Sequence, residues 1–442
     1  MKLRIVILCL AFSAGIAVPG TLFPQGTPPP EPADSLPLPV ILKQVLETYP
    51  SVAKAQEAIR AAEAGIGLAK SAYYPNATGM AGYTRIGPVP EMTIPDLGTF
   101  SLAPNNNYNA QVNVYGTLYD FEKTRRNVDL ERSNLDLSKN NVELVRQRLT
   151  LLTSVSYYTL IYLQEAIRIK ETQIATLQQH LGFVTRKEET GSSTQYEVLS
   201  TQVRLSNAEN QKVDLESSRL TQQAVLNGLM GRPSKTPLAV QGSFSLTQPG
   251  IPSDSLIPYA LEHRYEMVMA RLKAEHAQLH LRSVKVMNNP TLSAFVTGGV
   301  KNGYIPDLNQ ATLNYTAGVG LNVPIFDATR RRNTIRLVNS EIGMAQSEIE
   351  QTSRDISTEV TQNETSLEAS LKKIDQSRLQ VKQAEEALNL AAVSFKSGAI
   401  TNLDLLDAET ALEESRVNLL RARTEYAIGV VRLSISVGKP IQ

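Results

Sequence analysis

The 442-residue chain carries 44 lysines and arginines against 43 aspartates and glutamates, a net charge of +1. A balance this close leaves no electrostatic footprint for a nucleic-acid partner, which shows as a basic patch or excess. No nucleotide loop, nucleophile motif or catalytic cluster stands out, so a non-enzymatic role without cofactor or metal is expected. His276 and His280 have the i, i+4 spacing of helical metal ligands but no third ligand beside them in the sequence.

The N-terminal stretch MKLRIVILCLAFSAGIA has two cations, an apolar run and small residues near Ala17. It reads as a secretory signal peptide, residues 1–20, removed around Ala17 to Gly20. Cys9, the only cysteine, lies inside it, and Ile7 and Leu8 lack the small residue a lipoprotein signal places before its cysteine. No later run of about 18 apolar residues appears, so a membrane could be crossed only by β-strands. Residues 21–39 (PQGTPPPEPADSLPLP within them) are proline-rich and predict an extended lead-in.

From there the chain is a tandem repeat. YNAQVNVYGTLYDFEKTRRN from Tyr108 matches YTAGVGLNVPIFDATRRRNT from Tyr315, 315 − 108 = 207 residues on. The same offset relates Asp120 to Asp327, Gly191 to Gly398 and Leu199 to Leu406. Repeat one covers 40–233 and repeat two 256–442, joined by a Pro-, Gly- and Ser-rich connector at 234–255. Each has the order short helix, two strands, very long helix, second helix. No proline follows Asp120 until Pro233, and the first break is the glycine at 191. That predicts a helix of about 68 residues, about 100 Å at 1.5 Å per residue.

Heptad rows fix what surrounds such a helix. Val128, Leu135, Val142 and Leu149 form one row; Leu130, Leu137, Leu144 and Leu151 form another. Rows offset by two residues lie about 200° apart, so the helix needs neighbours on both sides, as in a wall of helices. In repeat two the first row is Ile335, Ile342, Ile349 and Ile356, and the second is weaker (Leu337, Met344, then Gln351).

The strands alternate. Tyr108, Ala110, Val112, Val114 and Leu118 share one face against Asn107, Asn109, Gln111, Asn113 and Thr117. In repeat two, Tyr315, Ala317, Val319, Leu321, Val323 and Ile325 oppose Asn314, Thr316, Gly318, Gly320 and Asn322. Leu292, Ala294 and Val296 alternate less strictly, and the strand around TGMAGYTR is weak. Four strands cannot close a membrane barrel, whose smallest bacterial members have about eight, so several chains must share one. The hairpin tips GPVPEMTIPDLGTFSLAPN and KNGYIPDLNQ read as exposed loops.

At the far ends of the long helices, Gly191 and Gly398 are expected at positive φ. Thr194-Gln-Tyr-Glu197 and Thr401-Asn-Leu-Asp404 both fit a capping box, in which the fourth residue's acid caps the backbone. Capping leaves Asp407 unexplained; it lies at i+3 on the face of Asp404.

Together the duplication, LYDFEKTRRN and VPIFDATRRRN at the strand-to-helix junctions, and FKSGAITNLDLLDAETAL at the helix turn resemble the TolC-like family of outer-membrane efflux proteins. The resemblance implies a mainly α chain with a membrane β-barrel portion: a homotrimer with a twelve-stranded barrel in outer-membrane lipid and a helical tunnel through the periplasm. It implies an exit duct for efflux or type I secretion, docked to an inner-membrane transporter through a periplasmic adaptor. By position it assigns Asp404, Asp407 and Glu197 to the tunnel constriction, and Gly191, Ser192, Ser397 and Gly398 to the adaptor-facing tips. Phe395 and Ile400 stand where some members tie the closed tip with an aromatic hydroxyl and a basic residue. The alternative is a non-pore periplasmic adaptor or structural coiled-coil protein, which would show one helical hairpin flanked by β-rich domains.

Overall fold

A computed structural model describes residues 35–439 apart from 97, 243, 245–247 and 249. The expected signal peptide, Cys9 with it, and most of the proline-rich lead-in lie outside the described residues. After β1 (Ser35–Leu36) in the lead-in, repeat one runs α1 (Leu38–Thr48), α2 (Pro50–Ser71), β2 (Asn76–Arg85), β3 (Glu91–Ile94), β4 (Gly98–Ser101), β5 (Asn106–Tyr119), α3 (Lys123–Glu189) and α4 (Gln195–Leu229). After β6 (Ala239–Val240), repeat two runs α5 (Leu256–His263), α6 (Tyr265–Val286), β7 (Thr291–Lys301), β8 (Thr312–Asn322), α7 (Arg330–Lys396) and α8 (Asn402–Ser436).

Where one short helix was expected ahead of the strands, each repeat has two. Tyr49 is extended (φ −72°, ψ 129°) because Pro50 disfavours helical backbone before it. In repeat two Arg264 makes the same break without a proline, its guanidinium held by Glu266 and, at 2.5 Å, by Glu359. The first hairpin tip, expected as loop, contains the β3–β4 hairpin, whose Thr93 and Thr99 hydroxyls meet at 2.9 Å.

α3 and α7 each have 67 residues. Both start after two consecutive non-glycine residues in the left-handed region: Phe121 and Glu122 (φ 52° and 73°), Ala328 and Thr329 (φ 48° and 69°). Side chains make that region unfavourable. The preceding aspartates offset part of the cost by capping the new helices: Asp120 Oδ2 accepts from Thr124 N at 2.7 Å, Asp327 Oδ2 from Arg331 N at 3.0 Å. The YDFEK and FDATR motifs thus encode a sharp turn from strand into helix.

The main sheet is antiparallel in the order β2-β5-β7-β8. Val114 lies opposite Ala77 and Val296, and Val296 opposite Ala317. One face is therefore a band of exposed apolar side chains that includes Val112, Val296, Tyr315, Val319 and Leu321. A bulge between Thr117 and Tyr119 breaks the expected alternation and sets Tyr119, not Leu118, opposite Leu292. On the other face Thr297 Oγ1 donates to Asn113 Oδ1 at 2.7 Å. Phe295 covers Gly318, where an added Cβ would come 2.8 Å from the ring. Among the described residues β2 and β8 each leave one edge unpaired.

Midway down the long helices, α1 packs Ile41 and Val45 with Leu160, Leu226 and Val431, and α5 packs Leu256 and Ala260 with Val360, Leu367 and Val430. In the first heptad row of α3, Val128, Val142 and Leu149 are buried; the second row is half-buried. In α7, Leu337 and Met344 are exposed within a single chain. α4 likewise exposes Leu199, Val203, Val213 and Leu220. These stripes need a neighbour that one chain does not supply.

Candidate functional site: the helical tip

Two helix turns, 190–194 and 397–401, form the end of the molecule farthest from the sheet. Gly191 (φ 71°) and Gly398 (φ 79°) close the long helices. In the first turn Gly191 N bonds Glu188 O and Ser192 N bonds Lys187 O. In the second, Gly398 N bonds Phe395 O and Ala399 N bonds Ser394 O. This is the Schellman pattern, which needs a left-handed residue after the helix and so favours glycine. Gly191, Ser192, Ser397 and Gly398 are all exposed.

The new helices start differently. Thr401 and Asp404 form the complete reciprocal box: Asp404 N donates to Thr401 Oγ1 at 3.2 Å, and Thr401 N to Asp404 Oδ2 at 2.8 Å. The Thr401 hydroxyl and backbone N–H hold the Asp404 carboxyl below its ordinary value. In repeat one the expected box is only half made. Thr194 accepts from Glu197 N at 3.3 Å, but the Glu197 carboxylate accepts instead from Ser193 Oγ. The residue 207 positions on from Ser193 is Ile400, which has no hydroxyl to compete for Asp404.

Asp407 is bound by a residue the sequence did not single out. Arg204 of α4 reaches across to Asp407 Oδ1 at 2.7 Å, and donates to Thr410 Oγ1 at 3.1 Å and Leu406 O at 3.4 Å. Two more links join the repeats here. His180 Nε2 lies 2.5 Å from Asn402 Oδ1. Asn402 donates its amide to Thr201 Oγ1 and Glu197 O, which fixes the amide's orientation and makes His180 the donor. Higher up, buried Lys170 pairs with Glu413 at 2.7 Å and donates to Gln211 and Gln173. Phe395 is buried against Phe183 and His180, with Lys187 Nζ 5.0 Å over its ring. The tip is thus tied by Arg204, His180 and Asn402 together with the packing of Phe395.

The structure brings the starts of α4 and α8, hence Glu197, Asp404 and Asp407, to one end of the molecule, each acid with a partner inside the chain. His276 and His280 sit far from it, His280 Nδ1 3.1 Å from Glu341. Among the described residues no three His, Cys, Asp or Glu side chains cluster as a metal site.

A tandem repeat of helices and strands, with a banded open sheet at one end and capped helix turns at the other, is the architecture of one class of outer-membrane proteins. The chain belongs to the outer membrane efflux protein family, whose model matches residues 41–232 and 256–439. It is 22% identical to the outer membrane efflux protein BepC of Brucella suis over 86% of this chain and 80% of that protein. It is 26% identical to nodulation protein T of Rhizobium leguminosarum and 23% to the alkaline protease secretion protein AprF of Pseudomonas aeruginosa. Those matches cover 64% and 66% of this chain but only 59% and 62% of those proteins' own lengths. The fold is that of the outer membrane protein VceC of Vibrio cholerae, with a TM-score of 0.77 and 18% identity over 92% of this chain and 97% of that one. The Campylobacter jejuni CmeC channel is alike, at 0.77 and 16% over 91% and 85%.

Proposed function

We propose that the protein is a passive exit duct of the outer membrane, three copies closing a twelve-stranded barrel above a common periplasmic tunnel. The observation that carries this is the four-stranded sheet with an apolar outer face and two open edges, mounted on helices about 100 Å long. An open edge pairs with another strand, and a barrel abolishes edges altogether. The exposed stripes of α4 and α7 supply the matching helical contacts. The adaptor alternative lacks support, because strands lie between helices in both repeats.

At the tip, Asp404, Asp407 and Glu197 of successive copies narrow the tunnel, and the turns at Gly191–Ser192 and Ser397–Gly398 meet a periplasmic adaptor that couples the duct to an inner-membrane transporter. Substrates delivered by the transporter, drugs or proteins, pass without chemistry. Converging carboxylates favour cations in the throat, and Arg204 moderates that of Asp407. Single-channel recording of the reconstituted protein tests this. The Asp404→Asn, Asp407→Asn double variant is expected to lose cation preference, and Arg204→Ala to gain it. A non-conducting monomer in mild detergent would overturn the duct, and unchanged selectivity in the double variant would overturn the constriction.

A further inference from the structure

Two residues beyond Asp407, Glu409 occupies a different setting. It lines a pocket of about 50 Å³ between three helices, with Ile169, Thr172, Gln173 and Thr176 on α3, Leu388 on α7 and Leu412 on α8. Its Oε2 is closed off from solvent and has no hydrogen-bond partner in the chain. Every charged group around it is engaged elsewhere. On α8, Glu413 holds Lys170 of α3 and Arg416 holds Glu385 of α7. From α4, Arg204 acts on Glu409 only at a distance while it binds Asp407. Among the described residues no cation is committed to Glu409.

We propose that Glu409 is a proton-binding site that tightens α8 against α3 and α7 as pH falls. A carboxylate with one oxygen shut off from water and unpartnered is costly to ionise, whereas the acid form is neutral and can donate to the polar side chains of the pocket. Burial raises the Glu409 carboxyl from 4.5 to about 7, with Arg204 pulling the other way. The sign follows. Below its ordinary value the packed and loosened helices bind the proton alike, so protonation favours neither. As pH rises from there through about 7, only the packed state keeps the proton, and packing weakens progressively. The position 207 residues earlier is Gln202, so repeat one carries the uncharged isostere and has no such response. The site arises from packing within one chain and holds whichever side chains narrow the duct.

Hydrogen exchange of residues 402–416 in the full protein in lipid nanodiscs tests it, with rates corrected for the intrinsic pH effect. Wild-type opening should rise on the order of tenfold between about pH 5.5 and about pH 8. Glu409→Gln should exchange slowly and equally at both. In wild type, infrared difference spectra across the same range should show a protonated carboxyl band titrating near neutrality and lost in the variant. An equal pH response in wild type and Glu409→Gln, or no such band in wild type, would overturn the site.

Discussion

The two repeats share a backbone and differ in what crosses between them. Three polar links join α3 and α4 of repeat one to α8 of repeat two: Lys170 to Glu413, His180 to Asn402, and Arg204 to Asp407. Moved by the 207-residue repeat, the same positions are Ser377 with Ser206, Ala387 with Gln195, and Ala411 with Ser200. In the proposed ring these positions, apart from Ser377, which is buried within its own chain, would face neighbouring copies. The seam inside a chain is therefore charged and clasped, whereas the mirrored positions carry only uncharged residues. On the proposed duct, one duplicated architecture would hold two kinds of contact: a fixed one within the chain and a separable one between copies.

The largest test strikes the fixed seam at its most buried pair. Lys170→Ala strands the Glu413 carboxylate and should cost about 3 kcal/mol or more, read as an earlier urea midpoint of the helical region. Replacing both with Met and Leu should be close to neutral. The mirrored Ser377→Ala should change nothing measurable, and an equal loss there would break the comparison.

The strands provide the symmetric control. Val112 and Val319 are repeat equivalents on the apolar band. Val112→Asp and Val319→Asp should each cost on the order of 2 kcal/mol and lower assembly in the outer membrane alike. Asn113→Asp, the same charge on the opposite face, should be mild. Heat-stable oligomer on gels measures all three.

How much of this was legible in the sequence follows from the same distinction. Features that repeat at fixed spacing were visible: the 67-residue helices, the alternating strands, Gly191 and Gly398. The β3–β4 hairpin was not, since Glu91–Ser101 is interrupted by Pro95, Asp96 and Gly98 and lacks a run of alternation. Arg204 was missed because its partner lies 203 residues away and no spacing rule reaches across packed helices. The half-made box at Glu197 was missed because Thr194-Gln-Tyr-Glu197 satisfies the motif, while the competing donor, Ser193, lies just outside it.

That local difference sets a smaller test. Thr401→Ala removes the hydroxyl of the complete box and should cost about 1 kcal/mol of α8 stability. Thr194→Ala should cost less, because the Glu197 carboxylate keeps its Ser193 partner. Amide exchange at residues 402–405 and 195–198 compares them.

The finest test builds the missing clasp. Arg204→Ala removes a partly exposed pair and should cost about 0.5 kcal/mol. Ala411→Arg with Ser200→Asp should add a similar contact at the seam between copies. The expected result is longer closed dwell times in single-channel records, with barrel assembly unchanged.

The open edges of the sheet reach beyond physics into genetics. If copies share one barrel as proposed, a copy that folds but cannot open is not silent beside normal copies. It would enter mixed rings and obstruct them, so a closed-tip allele should behave as dominant over wild type. An allele whose strands fail to pair is excluded from every ring and should be recessive.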